Sequence, residues 1–426
     1  MRDLFIAAVV FGALPFILKR TYIGVLVWSW IGYMNPHRLA YGFAYSFPWA
    51  QVVALATLVS LLINREEKKF PITGLTVVWL LFLVWMGITT VMAAYPDQAF
   101  DQLIKVAKIQ LITLITVLVM YKPERIQMLV WTIALSIGFY GIKGGVFTIA
   151  TAGAHRVWGP EGSFIWGNNE IALALLMVLP LFYFMRDMVE NKWLRQGLLL
   201  CMLLMAVSAI GSQSRGALLA GFSVLFFFWL KSQSKFLTGI AGVTLTVLVF
   251  LFMPQSWHDR MGTIQTYQED RSAMGRISHW EAAVNLANDR LFGGGYDALL
   301  RSDMFYRYAN DPTYHVDAHS IYFEVLGDHG WIGLALFLLL GYIAFRTAGR
   351  LIRVTRGVEE LSWVNTLARM LQVSLVAYAT GGAFLGLAYF DLFYHIVAIL
   401  VLLRLHVDTC LAEHDVEPTR REELVY

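Results

Sequence analysis

Apolar runs separated by short polar stretches recur along almost the whole chain, near residues 3 to 34, 47 to 63, 74 to 94, 106 to 121, 126 to 150, 170 to 185, 196 to 210, 215 to 230, 236 to 253, 320 to 345, 365 to 385 and 389 to 405. Most reach the roughly 17–25 residues that a helix, rising about 1.5 Å per residue, needs to cross a hydrocarbon layer of about 30 Å. Stretches such as Leu198 to Ile210 are apolar on every face, which excludes the alternating pattern of a lipid-facing barrel strand. The pattern predicts an all-α, polytopic transmembrane bundle of about twelve spans. Pro15 and the Lys19-Arg20 pair interrupt the first run, so residues 3 to 34 form either one span or two.

Polar connections set the orientation. Arg65, Lys68 and Lys69, then Lys122 and Arg125, Arg186, Lys192 and Arg195, Lys231 and Lys235, and Arg346 to Arg356 occupy every second connection, which places those on the cytoplasmic side. The alternate connections at 35 to 46, 95 to 105, 151 to 169, 211 to 214, 254 to 319 and 386 to 388 then face outward. Four parts follow: a first bundle half at 1–253, a large periplasmic loop at 254–319 containing short helices, a second bundle half at 320–405, and a charged cytoplasmic tail at 406–426, expected to be disordered. Within the loop, Ile277, Trp280, Ala283, Val284 and Ala287 recur at helical spacing over Arg276 to Asn288.

Composition agrees with this reading. The chain is 58% hydrophobic and only 15% charged, with a formal charge of +3, which is too small to point to a nucleic-acid partner. Membrane lipids are the expected surroundings. Cys201 and Cys410 are the only cysteines, too few for a disulfide framework or a Cys-rich metal site. Met1-Arg2-Asp3 leads into an apolar stretch without a small-residue cleavage site, so the N-terminus is expected to be retained.

The outward connections carry the candidate chemistry. Arg215, in Gly211-Ser212-Gln213-Ser214-Arg215-Gly216-Ala217, follows a tight hairpin and stands at the end of a span, at headgroup depth. Its guanidinium offers forked donors that match phosphate oxygens, whereas the bland alternative is an arginine snorkelling to the interface. Arg156, in Ala154-His155-Arg156-Val157-Trp158-Gly159, is a second cation on that side or a solvated loop charge. Asn168, in Gly167-Asn168-Asn169-Glu170, is a candidate substrate contact, although Asn168 or Asn169 is also placed to cap the helix that starts there.

His319 stands in Ala318-His319-Ser320-Ile321-Tyr322-Phe323-Glu324, where the large loop meets a span. An imidazole suits a general base near neutral pH; the alternative is a helix-start histidine bonded to a neighbouring loop. Tyr322 is a candidate substrate contact beside it. Ser320, Glu324 and Asp328 share one helix face, so the two acids should look into the bundle and find partners, Asp328 in an ion pair. The alternation His315-x-Asp317-x-His319 suggests a metal constellation, but it lacks the i,i+4 histidine pair of zinc peptidases, and no metal is expected. Arg276, in Gly275-Arg276-Ile277-Ser278-His279-Trp280, offers a cation beside an aromatic that can meet sugar or phosphate, while Trp280 is expected to pack the loop helix onto the bundle. Gly293-Gly294-Gly295 is no nucleotide cradle, since neither a following Lys-Ser/Thr nor a βαβ context is present.

Taken in order, Ser214-Arg215-Gly216-Ala217, Gly275 to Trp280 running on to Leu291-Phe292-Gly293-Gly294-Gly295, and Ala318-His319-Ser320 followed by Gly327-Asp328-His329-Gly330-Trp331-Ile332-Gly333 resemble the O-antigen ligase and polymerase superfamily, over nearly the whole chain. The opening Asn35-Pro36-His37-Arg38 is similar to a ligase branch found beside exosortase systems, which brings in protein O-glycan ligation as a variant. The resemblance implies a multi-pass inner-membrane enzyme whose site faces the periplasm. It implies an inverting transfer, free of metal and cofactor, of an undecaprenyl-diphosphate-linked glycan to the lipid A-core acceptor. Arg215 and Arg156 would neutralise the departing diphosphate and His319 would deprotonate the attacking hydroxyl. Many members carry His-Asn or His-Ser-His at the histidine motif where this chain has His319-Ser320-Ile321, so only His319 is carried over. A polysaccharide polymerase shares fold and donor. A transporter of lipid-linked glycan, the non-enzyme alternative, would show inverted repeats, which are not evident.

Overall fold

The computed structural model describes residues 1–232, 234–262, 271–313 and 315–423, and among them every regular element is a helix. In chain order these are α1 (Arg2–Lys19), α2 (Thr21–Met34), α3 (Trp49–Ile63), α4 (Gly74–Val91), α5 (Pro96–Val119), α6 (Pro123–Ala150), α7 (Asn168–Met188), α8 (Lys192–Gly211), α9 (Arg215–Lys231), α10 (Lys235–Phe252), α11 (Gln255–Gly262), α12 (Arg271–Asp289), α13 (Ser302–Tyr308), α14 (Ile321–Val354), α15 (Ser362–Gly381) and α16 (Asp391–Glu423). Seven of them, α4 to α8, α14 and α16, are long and apolar enough to cross a membrane. Among the other apolar runs, those on α2 and α3 sit on helices of only 14 and 15 residues. Among the described residues, length and composition carry seven crossings, against the dozen runs in the sequence.

The first run is two helices. The break falls at Arg20, in extended backbone, while Pro15 is accommodated inside α1. The carbonyls released there are taken up by α3: Ser60 Oγ donates to Ile17 O at 2.6 Å and Asn64 Nδ2 to Leu18 O at 2.9 Å. That satisfies the rule that backbone polar groups within a bilayer need internal partners.

Sequence also explains which helices lie innermost. The Leu392 to Leu403 stretch of α16 is buried throughout, as its lack of a polar face requires, and α7 is likewise mostly enclosed. Around them, α6 packs on α8, α15 on α7 and α9, and α14 on α4, α12 and α15. Small residues allow close approach: an added methyl at Gly145 of α6 would come 2.2 Å from the Leu204 carbonyl of α8. The tail beyond Val407, expected to be disordered, instead continues α16 as helix, because the Leu411-Ala412-Glu413 stretch favours helix and no glycine stops it.

In the large connection, the stretch expected to be helical falls inside α12, and α11 and α13 are its other helices; residues 263–270 and 314 lie outside the described residues. The triple glycine after α12 threads between two spans. Gly294 N donates to Gly327 O at 2.8 Å, Gly295 N to Asp328 O at 3.0 Å, and Gly294 O accepts from Ala94 N at 2.8 Å. Opposite it, α14 is kinked at Gly330, whose φ is 67°, and a methyl there would lie 2.4 Å from the Leu291 carbonyl. Glycine is needed at Gly330 both for its left-handed backbone and for this approach.

Candidate functional site

One end of the bundle gathers the connections that alternate with the basic ones. The 151–167 loop is tied to the α8–α9 turn by Val157 N donating to Gly211 O at 3.1 Å and Gln213 Nε2 donating to Gly153 O at 3.0 Å. Asn168 Nδ2 donates to Ser212 O at 2.8 Å, so the start of α7 joins the same turn. The capping role expected for Asn168 or Asn169 is thereby corrected: the cap position is Gly167, and the Asn168 amide, nearly buried, holds the turn instead. Arg156 stands exposed on this loop.

Arg215 is the first residue of α9. Ser214 caps it, its Oγ accepting from Ala217 N at 3.1 Å, and the half-exposed guanidinium therefore begins where the helix dipole is positive. An anion there would meet the side chain and the positive end of the helix dipole together. Directly below Ser214 an apolar cleft of about 750 Å³, open mouth included, runs between α7, α8, α9 and α10, lined by Leu176, Ala209, Ala217, Phe222 and Thr246.

The 382–390 turn links this corner to His319. A methyl at Gly216 would lie 3.0 Å from Phe384 Cβ, the Phe384 ring stands 6.4 Å from Trp280, and a methyl at Gly386 would lie 4.0 Å from His319 Cα. Trp280 does what its amphipathic ring suggests, stacking on Phe323 at 4.9 Å and donating Nε1–H to Ala318 O at 2.8 Å. Arg276 lies one helical turn earlier on α12, on the same side as Trp280. The Tyr322 hydroxyl donates to Ala379 O at 2.7 Å, tying α14 to α15.

The segment before α14 is pinned at alternate residues. His315 Nε2 donates to Leu299 O at 2.9 Å and its ring stacks on Phe305. His279 Nδ1 donates to Val316 O at 2.6 Å; burial pushes this imidazole below its ordinary pKa, keeping it neutral. His315 is thus turned toward the loop core, and among the described residues no three His, Cys, Asp or Glu side chains converge. His319 itself has φ 42°, a left-handed conformation rare for a residue with a side chain. Its side chain is 32% exposed and stands 4.0 Å from Asp317.

The acids of α14 find partners, but not an ion pair. Glu324 Oε2 accepts from Ala388 N at 3.1 Å, holding the 382–390 turn. Asp328 accepts from Asp297 N at 3.0 Å and from the Tyr389 hydroxyl at 2.7 Å, and no cation reaches it. The expected ion pair is corrected: among the described residues the fold brings neutral donors from two other connections to this carboxylate, one to each oxygen, in place of a cation. The sequence reading missed this network, which continues from Tyr389 to His329 and Thr89. It also missed the 382–390 turn as the piece joining the two corners; its one visible signal was the short glycine-containing connection between two apolar runs.

Residues 200–338 match the family model described as O-antigen ligase. Over that segment, about a third of the chain, the protein is similar to the O-antigen ligase family. The seven long apolar helices have the length and composition of spans in a multi-pass membrane protein. Residues 1–190 match a second family, one of unknown function. No curated protein matches the chain. Arg215, Arg276, His319 and Tyr322 lie inside the O-antigen ligase segment, whereas Arg156 and Asn168 lie in the other.

Proposed function

We propose that the chain is an inverting glycosyltransferase of the bacterial inner membrane that joins O-antigen polysaccharide, carried on undecaprenyl diphosphate, to the lipid A-core acceptor on the periplasmic side. About twelve membrane crossings and an outward-facing 254–319 loop belong to this reading. The observation that carries it is the gathering of Arg156, Arg215 and His319 at one end of the bundle through the hydrogen-bonded 151–167, 211–214 and 382–390 connections. Supporting it, Arg215 directly follows Ser214, which lines the apolar cleft.

Each part has a task in the transfer. The polyprenyl chain lies in the cleft below Ser214, which brings its diphosphate to Arg215 and the α9 N-terminus. Arg156 approaches from the loop. A diphosphate is already a good leaving group, so stabilising the charge it gains on departure, together with positioning, supplies most of the acceleration. His319 takes the proton from the acceptor hydroxyl as that oxygen attacks the anomeric carbon, and the glycosyl–phosphate bond breaks on the opposite side, inverting the centre. Arg276 and Asn168 border the glycan, and Tyr322 lies alongside.

Purified protein given carrier-linked O-antigen and rough lipopolysaccharide tests the reading. Ladders of ligated lipopolysaccharide, formed also in EDTA, are expected. Loss of activity on chelation would remove the metal-free chemistry. Elongated carrier-linked chains without ligated product would replace ligation by polymerisation, and a glycosylated protein acceptor would replace the lipid acceptor.

A further inference from the structure

Ten or so residues around His319 are arranged for one more purpose than presenting an imidazole. His319 Nδ1 is buried and has no hydrogen-bond partner, although the rest of the ring is partly open. A buried ring nitrogen left unbonded is costly, so a partner within reach is expected to be used. The nearest is Asp317, whose Oδ2 stands 4.0 Å from that nitrogen. The backbone between them cannot drift: Val316 O is held by His279 and Ala318 O by Trp280, and His319 is locked at φ 42°. Across from both side chains stands Gly386, where a methyl would lie 3.4 Å from Asp317 Oδ2 and 4.0 Å from His319 Cα, so the facing wall leaves room for the carboxylate to swing.

We infer that Asp317 is the positioning residue of the base. In the working complex its carboxylate accepts the His319 Nδ1 proton, which fixes the tautomer so that Nε2, on the open side of the ring, receives the proton of the acceptor hydroxyl. The carboxylate also stabilises the imidazolium that results; the proton then leaves to solvent or to the released diphosphate. Asp317 touches the base and not the reacting atoms. The inference rests on His319 being the base, and it gives Asp317 a role different from the metal ligand suggested by its place between His315 and His319.

Steady-state ligation kinetics across pH, on protein of unchanged melting temperature, tests it. The other titratable groups near His319 are Glu324 on α14, His279 on α12, His315 on the same segment, and Asp297, which interacts with Asp317. Asp317→Asn is expected to lower kcat about 100-fold with KM for both substrates within about twofold, as for loss of a base-orienting carboxylate. The acidic limb of its pH profile should move to lower pH, because removing a neighbouring negative charge makes the imidazole easier to deprotonate. Asp317→Glu should restore part of kcat. Full activity in His319→Ala would sink the base itself. An inactive His319→Ala beside an Asp317→Asn variant with unaltered kcat and limb would overturn the inference alone, as would a raised KM at normal kcat, which marks a substrate contact.

Discussion

Two histidines ten positions apart illustrate how differently this fold treats the same side chain. His329 is fully buried; with the Tyr389 proton given to Asp328, its Nε2–H donates to the Tyr389 oxygen at 3.0 Å and its Nδ1 faces the Thr89 hydroxyl at 2.7 Å. The Tyr296 ring closes on it edge-first at 4.7 Å. His319, at the mouth of the same helix, has one buried nitrogen without a bond, a partly open ring and a left-handed backbone. A saturated imidazole stabilises a core and has nothing left for a substrate. An unsaturated one costs stability and keeps its chemistry available.

The largest expected effect breaks the comparison at its open end: His319→Ala should lose about 10²- to 10⁴-fold in turnover while its melting temperature in detergent holds or rises. An equal fall in stability would make the two histidines alike. His329→Ala should do the reverse, destabilising by about 2–4 kcal/mol through a cavity and the stranded Thr89 and Tyr389 hydroxyls, with residual activity tracking the folded fraction. Arg215→Lys sharpens the contrast between charge and geometry. It keeps the cation but loses the fork, and a fall of about tenfold in kcat/KM is expected; unchanged kinetics would reduce Arg215 to a point charge.

The smallest effect concerns a third histidine at the same end. Burial, and then the neighbouring Arg38, hold the His37 imidazole down to about 4. Its folded pKa is below the unfolded one near 6.5, so the unfolded chain takes the proton first. Stability is then complete above about pH 6.5 and falls as the pH drops from there toward 4. With solvent screening allowed for, the loss at pH 5 should be roughly 1 kcal/mol, and His37→Gln should flatten that part of a melting-temperature profile.

Much of the architecture could be read from the chain because it depends on local properties. Apolar runs become helices wherever water is excluded and the backbone must bond to itself, and the 151–167, 211–214, 254–319 and 386–388 connections lie against one another in the fold. Arg215 and His319 were legible for the same reason, each being a polar residue at the edge of an apolar run. The partners of Asp328 were not legible, since they come from connections 31 and 61 residues away in sequence.

Taken by itself, then, the sequence determined the helical class with spans long enough for a membrane, and the positions of most helices. Only the tertiary structure decided which polar groups are spent and which remain available. The Asn168 amide nitrogen holds a turn, the triple glycine passes beneath Gly330, and His329 is spent on a hydroxyl 240 residues distant in the chain. Hydrophobicity acts residue by residue and can be summed along a chain, whereas satisfying a buried donor or acceptor requires a specific partner brought to it by folding.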